Sequence, residues 1–225
     1  MRKLIQGIVE FRETQREQYA ARFRALAGGQ SPDCLFVTCS DSRVVPDLLA
    51  STEPGDLFIM RNVGNLVPPA TADGVSTGDV SEASAIEYAV LALEVPNIVV
   101  CGHSSCGAMK AVLKRTGLPG APNLDKWLHH AAPADARLAR EGALDGALPA
   151  HDQLSQLNVL AQLDHLMTYP IVRERVALGR LTLAGWWFDI ATAGVFSYER
   201  DARAFQPIER DLGSRLMDRF GERSE

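Results

Sequence analysis

Two short apolar runs, each leading into a polar turn that carries metal-ligating side chains, constrain this chain more than anything else in it. The first, Cys34-Leu35-Phe36-Val37-Thr38, runs into Cys39-Ser40-Asp41-Ser42-Arg43. The second, Asn97-Ile98-Val99-Val100-Cys101, runs into Gly102-His103-Ser104-Ser105-Cys106-Gly107. Apolar runs of this length read as strands buried on both faces, as in a parallel sheet. In an open parallel sheet the turns after the strands gather at the carboxyl ends, where ligands bind. The pattern therefore predicts that Cys39, His103 and Cys106 form one cluster. Two thiolates and an imidazole make a soft ligand set suited to Zn²⁺. Three protein ligands leave a fourth position for water, as in catalytic rather than structural zinc sites.

Strand and helix alternate along the chain, which predicts an α/β fold with a central, mainly parallel β-sheet flanked by helices and right-handed crossovers. Ile5, Ile8, Val9, Tyr19, Phe23 and Leu26 recur at helical spacing over residues 3–27, and Gly28-Gly29 stops that helix. Pro46 opens a short helix, and Pro54-Gly55 turns the chain into a second strand over 57–60. Residues 62–81, rich in Gly, Pro, Ser and Thr, read as a long loop. Helices follow over 82–94 and 106–116, on either side of the strand that ends near Cys101. Prolines and small residues over 117–150 predict loops and short surface helices. Residues 151–178 read as helix split near Tyr169-Pro170, 181–186 and 195–198 as strands, and 205–207 as extended. No repeat or shift of composition divides the chain. Residues 1–225 read as one domain, with a helical arm over 1–28 and a charged, partly helical tail over 209–225.

Net charge is −5 and the basic residues are scattered, so nothing points to nucleic acid. Gln6, Glu10 and Arg12 interrupt the apolar core a signal peptide would need, and no run approaches the ~18 apolar residues of a membrane span. Four cysteines are too few for a disulfide scaffold. With candidate ligands that must stay reduced, the expected compartment is the cytoplasm.

The pairing of Cys39-Ser-Asp-Ser-Arg43 with His103-x-x-Cys106 resembles the zinc signature of the β-class carbonic anhydrases. Glu53-Pro-Gly-Asp-Leu-Phe58, Arg61-Asn-Val-Gly-Asn-Leu-Val-Pro68, Ala85-Ile-Glu-Tyr-Ala-Val90 and Gly185-Trp-Trp-Phe-Asp-Ile190 resemble further segments of that family, in family order. The resemblance implies Zn²⁺ on Cys39, His103 and Cys106. It also implies reversible hydration of CO₂ to bicarbonate and a proton by zinc-bound hydroxide. The N-terminal arm is then expected to lie across a partner subunit, in at least a homodimer whose pocket residues are shared across the interface.

Asp41 stands on the same turn as Cys39 and could bind the metal or accept a hydrogen bond from the zinc-bound hydroxide. Arg43 favours the second, because a guanidinium fork would keep the carboxylate ionised and aimed. Two thiolates cancel the charge of Zn²⁺, so activity is expected to climb on the alkaline side. Gln30, Phe58 and Tyr88 match the residues that line the substrate pocket in the plant-type form of the family; plain core packing is the other reading of Phe58 and Tyr88. The other form builds a bicarbonate pocket from Trp, Arg and Tyr, where this chain has Phe36, Arg61 and Phe188. An open zinc site with Asp41 off the metal is therefore expected, without inhibition by bicarbonate at mildly acid pH. The segment 74–84 is longer than the usual link before the Ile-Glu-Tyr helix. His129, His130, His151 and His165 read as solvated or interface residues, Cys34 and Cys101 as inert core thiols. Gly102 and Gly107 are expected to relieve crowding around the turn. Two other functions stay open: hydrolysis of carbon disulfide or carbonyl sulfide on the same zinc set, and a zinc-stabilised binding or structural protein without turnover.

Overall fold

A computed structural model describes residues 1–115 and 117–219. Strand β1 (Cys34–Cys39) is buried at every residue, and β3 (Asn97–His103) at every residue after the first. They are adjacent interior strands of a six-stranded sheet and pair in parallel, Thr38 opposite Cys101. β2 (Leu57–Asn62) lies parallel on the outer side of β1, and β4 (Thr182–Asp189) parallel on the outer side of β3. β5 (Gly194–Glu199) and β6 (Ala204–Pro207) then add antiparallel, giving the order β2-β1-β3-β4-β5-β6. The chain winds outward from β1 to β2 and returns across β1 to β3. The winding therefore reverses between β1 and β3, where a crevice opens at the carboxyl ends of the strands. Cys39 ends β1 and His103 ends β3, so the topology puts both beside that crevice.

Helix α1 (Arg2–Glu10) continues through a π-helical turn (Phe11–Gln15) into α2 (Arg16–Leu26). After the sheet's first strand come α3 (Pro46–Ala50), α4 (Val80–Glu87) with a further π-helical turn (Tyr88–Ala92), and α5 (Gly107–Lys114). α6 (Pro122–Leu128), a 3₁₀ turn (His129–Ala131), α7 (Ala132–Glu141), α8 (Ala150–Leu166), α9 (Pro170–Ala177) and α10 (Arg210–Arg219) complete the described helices. Strand alternation sorts the core. Leu35, Val37, Ile98 and Val100 face Ile86, Val90, Val159, Leu166 and Val172 of the helical layer. Phe36, Val99, Cys101, Ala184 and Phe188 line the opposite face of the sheet. α8 rests on β3 and β4 at two glycines. A Cβ on Gly102 would stand 2.7 Å from Val159 Cγ2, and one on Gly185 would stand 2.9 Å from Val159 Cγ1. Gly102 thus meets the expectation of crowding, whereas a Cβ on Gly107 would meet nothing within 4 Å.

Residues 117–150 form the short helices expected among the loops, but these are not confined to the surface. Ala131 and Ala134 are fully buried against Met109, Leu154, Leu157 and Ala161. Small side chains that look like loop composition in a linear reading here permit close helix packing. The first helix of the second half of the sheet also starts earlier, with Asp79 accepting from Ser81 N–H (2.8 Å) as the N-cap of α4. Of the expected helix over 106–116 and the tail over 209–225, Thr116 and residues 220–225 lie outside the described residues.

The loop over 63–79 is pinned by polar groups of α8 and the residues after it. Gln162 Oε1 accepts from Val67 N–H (2.8 Å), Asn158 Nδ2 donates to Gly64 O (3.0 Å), and Tyr169 OH donates to Pro68 O (2.8 Å). His165 Nδ1 lies 2.7 Å from Val67 O and 3.1 Å from Gln162 Oε1, both acceptors, so this nitrogen carries the proton. His165 is therefore a buried, satisfied core residue and not the solvated or interface histidine expected; α8 is covered on more than one side. Burial pushes His165 and His130 below the ordinary imidazole range. Below about pH 6.5 the unfolded chain takes up protons that these folded histidines refuse. Stability present above that pH should be lost as pH falls toward the folded values. Thermal unfolding from pH 8 to pH 5 should show this slope, and His165→Gln should flatten it even if the variant is less stable throughout.

No residue of α1 or α2 is buried. α2 is tied to the turn before β2 by Arg22, which donates to Pro54 O (2.7 Å) and pairs with Asp56. α1 extends beyond that tie and presents Leu4, Ile5, Ile8 and Val9 to solvent. Among the described residues no helix is long and apolar enough to cross a membrane.

Candidate metal centre

Cys39 comes from the end of β1, His103 from the end of β3, and Cys106 is the residue before α5 begins. Their ligand atoms lie within 4.8 Å of one another and all three residues are buried. His103 Nδ1 is 2.9 Å from Ser104 O. That carbonyl can only accept, so the proton sits on Nδ1 and the lone pair on Nε2. Nε2 is buried and has no hydrogen-bond partner in the protein. Such an orphaned acceptor is rare unless an ion or water completes it, and its company of two sulfurs suits Zn²⁺.

The thiols share the same logic. Cys39 is drawn down chiefly because Cys106 donates a hydrogen bond to its sulfur, with the backbone N–H groups of Gly64 and Asp41 adding to it. Cys106, as the donor and in a buried position, is pushed up. A divalent cation would replace the shared proton and ionise both. The Gly64 N–H stands 3.4 Å from Cys39 Sγ. Gly64 has φ +88°, and a Cβ there would lie 2.9 Å from Ala108 Cβ. Glycine is therefore needed both for the backbone conformation and for the approach to α5. Cys34 and Cys101, by contrast, are pushed up to about 12 by burial and stay inert.

Asp41 and Arg43 form a fork beside the cluster. Arg43 Nε donates to Asp41 Oδ1 (2.9 Å), Nη2 to Oδ2 (2.7 Å), and the Arg43 backbone N–H also reaches Oδ1 (3.0 Å). These bonds, the side-chain pair first, hold the Asp41 carboxyl well below the usual carboxylate range. Asp41 Oδ2 lies 4.0 Å from His103 Nε2, the atom that carries the free lone pair. Arg61 holds the same turn from behind, donating to Cys39 O (3.2 Å), Asp41 O (2.8 Å) and Val44 O (2.8 Å). The His103–Cys106 turn is held as firmly. Ser155 Oγ donates to His103 O (2.8 Å), Ser104 Oγ to Asp189 Oδ1 (2.9 Å), and Ser105 N–H to Asp152 Oδ1 (2.5 Å).

The other expected site residues are not gathered about Cys39, His103 and Cys106 of their own chain. Phe58 and Tyr88 lie together with ring centroids 5.8 Å apart, and Gln30 is exposed after α2. Phe58 pairs with Leu35, four residues before the Cys39–Asn62 pair, which sets its Cα about 13 Å back along the sheet. Two cavities, of about 710 and 460 Å³, open between α5, α6 and α7 and between α8 and β4–β6; neither is lined by a metal ligand or by Gln30, Phe58 or Tyr88. The remaining histidines are engaged elsewhere. His129 Nδ1 is 2.8 Å from Asp125 O, the His130 ring meets Trp127 edge-on at 5.3 Å, and His151 Nε2 is 3.5 Å from Asp152 Oδ1. Gly64, Asp152, Ser155 and Asp189 escaped sequence reasoning. Gly64 and Asp189 left a trace only as members of the family-like segments 61–68 and 185–190, with no role attached.

Residues 34–195 match the family described as carbonic anhydrase. A carbonic anhydrase of Pseudomonas aeruginosa is 45% identical over 209 residues, covering 91% of this chain and 90% of the relative. The solved structure of the β-carbonic anhydrase CcaA matches with a TM-score of 0.85 and 37% identity over 93% of this chain and 92% of that one. A chain from the structures of two tetrameric β-carbonic anhydrases of Sordaria macrospora matches with a TM-score of 0.74 and 33% identity, covering 87% and 95%. With its metal-capable cluster at the point where the sheet's winding reverses, the chain belongs to the carbonic anhydrase family, among the β-class members.

Proposed function

We propose that this protein hydrates CO₂ reversibly to bicarbonate and a proton, using Zn²⁺ held by Cys39, His103 and Cys106. One observation carries the reading: the unpartnered His103 Nε2 lies between two thiols and 4.0 Å from a carboxylate oxygen that Arg43 keeps ionised. Zn²⁺, when bound, supplies a nucleophile near neutral pH by lowering the pKa of its water. The protein's part falls to Asp41. As a carboxylate it only accepts, so Asp41 Oδ2 would accept a hydrogen bond from the nucleophile, itself staying ionised, and turn an oxygen lone pair of that nucleophile toward carbon. Arg43 fixes the direction of that carboxylate by engaging both of its oxygens. The same fork favours an open site with Asp41 away from the metal.

Gln30, Phe58 and Tyr88 are proposed to line the CO₂ pocket, with the two rings supplied by a partner subunit. Their distance along the sheet from their own Cys39 supports this, as does the exposed apolar stripe on α1, where Ile8 is 68% exposed. A second copy of the chain lying across that stripe would give a dimer-based assembly. Ile8→Asp should then lower the assembly mass in light scattering and lower CO₂ hydration with it; a variant of unchanged mass and rate counts against the shared pocket. Bicarbonate is not expected to act as an inhibitor. The Arg61 guanidinium is engaged by three backbone carbonyls, and Phe36 and Phe188 offer no polar partner for an anion. CO₂ hydration at about pH 6.5–7 should show no steep, cooperative loss as bicarbonate is added. The four cysteines are unpaired, which suits a reducing compartment such as the cytoplasm.

Stopped-flow CO₂ hydration by protein carrying one zinc per chain, at about pH 8.5, tests the function. A fast rate that vanishes on zinc removal and returns on zinc addition is expected. A zinc-loaded protein no faster than buffer, yet active on carbon disulfide or carbonyl sulfide, would reassign the substrate.

A further inference from the structure

We propose that Asp152 is a positioning residue for the metal: its buried carboxylate holds Ser105 in the one backbone conformation that brings His103 and Cys106 together. This rests on the metal-site reading above. Ser105 lies in the left-handed region, with φ +57°. A residue with a side chain resists that region unless its surroundings impose it. Two anchors impose it here, one on each side of the Ser105 Cα. Asp152 Oδ1 accepts the Ser105 N–H at 2.5 Å, and Arg43 Nη2 donates to Ser105 O at 3.4 Å. Together they fix the two peptide groups that flank Ser105, and hence its φ and ψ.

Asp152 is 6% exposed, and a carboxylate that deep needs a partner. It stands on the first turn of α8, three residues before Ser155, so both side chains leave the same face of the helix. That face grips the ligand turn at two points, Ser155 on His103 O and Asp152 on Ser105 N–H. The second anchor, Arg43, also forks Asp41. One short backbone segment thus links the buried acid to the carboxylate beside the metal, and Asp152 keeps the ligand turn in register with Asp41.

The test is Zn²⁺ affinity measured against a competing chromophoric chelator, together with the absorption bands of the Co²⁺-substituted protein. Asp152→Ala should bind Zn²⁺ about 10- to 100-fold more weakly and shift the Co²⁺ bands. Glycine adopts the left-handed conformation without help. Adding Ser105→Gly to Asp152→Ala should therefore recover much of the lost affinity, which a merely structural role for Asp152 would not produce. Wild-type affinity and spectrum in Asp152→Ala, whatever its thermal stability, would overturn the proposal. A double variant no tighter than Asp152→Ala would overturn the route through Ser105. If alanine at this buried site prevents folding, Asp152→Asn decides, since it keeps an acceptor but removes the charge. Several-fold weaker binding is expected of it, and wild-type affinity overturns the proposal. A wild-type protein that takes up no Zn²⁺ would instead overturn the metal reading itself.

Discussion

Cys106→Ser should leave a folded protein that holds Zn²⁺ more than about 100-fold more weakly and hydrates CO₂ no faster than buffer. The exchange is small in volume, and Cys106 is fully buried beside α5, so the loss is chemical rather than steric. A thiolate brings a charge and a soft donor to the metal; a serine hydroxyl stays protonated and brings neither. The remaining pair, Cys39 and His103, would hold the ion with one charge fewer. Metal content after dialysis against a chelator, followed by stopped-flow hydration, reads both effects. Cys101→Ala is the matching control. Its thiol sits on β3 five residues earlier, is pushed up to about 12 by burial, and faces the core, so that variant should keep its metal. A Cys106→Ser protein that retained zinc and turnover would remove Cys106 from the ligand set.

Asp41→Asn should lower kcat by about 100- to 1,000-fold while the metal stays bound. None of the three ligands is touched. The amide keeps the shape of the carboxylate but presents an N–H where only an acceptor serves, and it cannot sustain the charged fork with Arg43. The loss should appear in kcat more than in KM, because Asp41 acts on the reacting water and not on CO₂. Since Arg43 holds the Asp41 carboxyl well below the usual carboxylate range, the wild-type group stays ionised throughout the working range, and the alkaline rise expected of the rate would belong to another group. Zinc-replete Asp41→Asn with the full wild-type rate would refute the role.

The clustering of Cys39, His103 and Cys106 was legible because its signal is local and chemical: a thiol two residues before an acid, an imidazole three residues before a thiol, each at the end of an apolar run. The alternation of strands and helices was legible for the same reason, and so was the burial of β1 and β3. What stayed hidden depends on contacts between distant segments. Asp152 looks like an ordinary acid on the first turn of a helix, where it would complement the helix dipole; its partner Ser105 is 47 residues away. His165 looks polar and exposed until Val67 O, 98 residues earlier, is seen to accept its proton. Ala131 and Ala134 carry no periodic signal, yet their small size is what lets α7 approach α8. Gly107 shows the opposite error, a glycine beside the motif that relieves no crowding at all.

During synthesis Cys39 leaves the ribosome roughly sixty residues ahead of His103, a lead of several seconds at about 5–20 residues per second. Throughout that interval the nascent chain offers one thiol of the cluster and neither His103 nor Cys106. The second and third ligands stand beside it only after the return crossover has passed over β1 and β3 has docked. Tight uptake of a metal by all three side chains would therefore be confined to chains whose winding has already reversed correctly. An ion bound there would act as an inspector of finished topology.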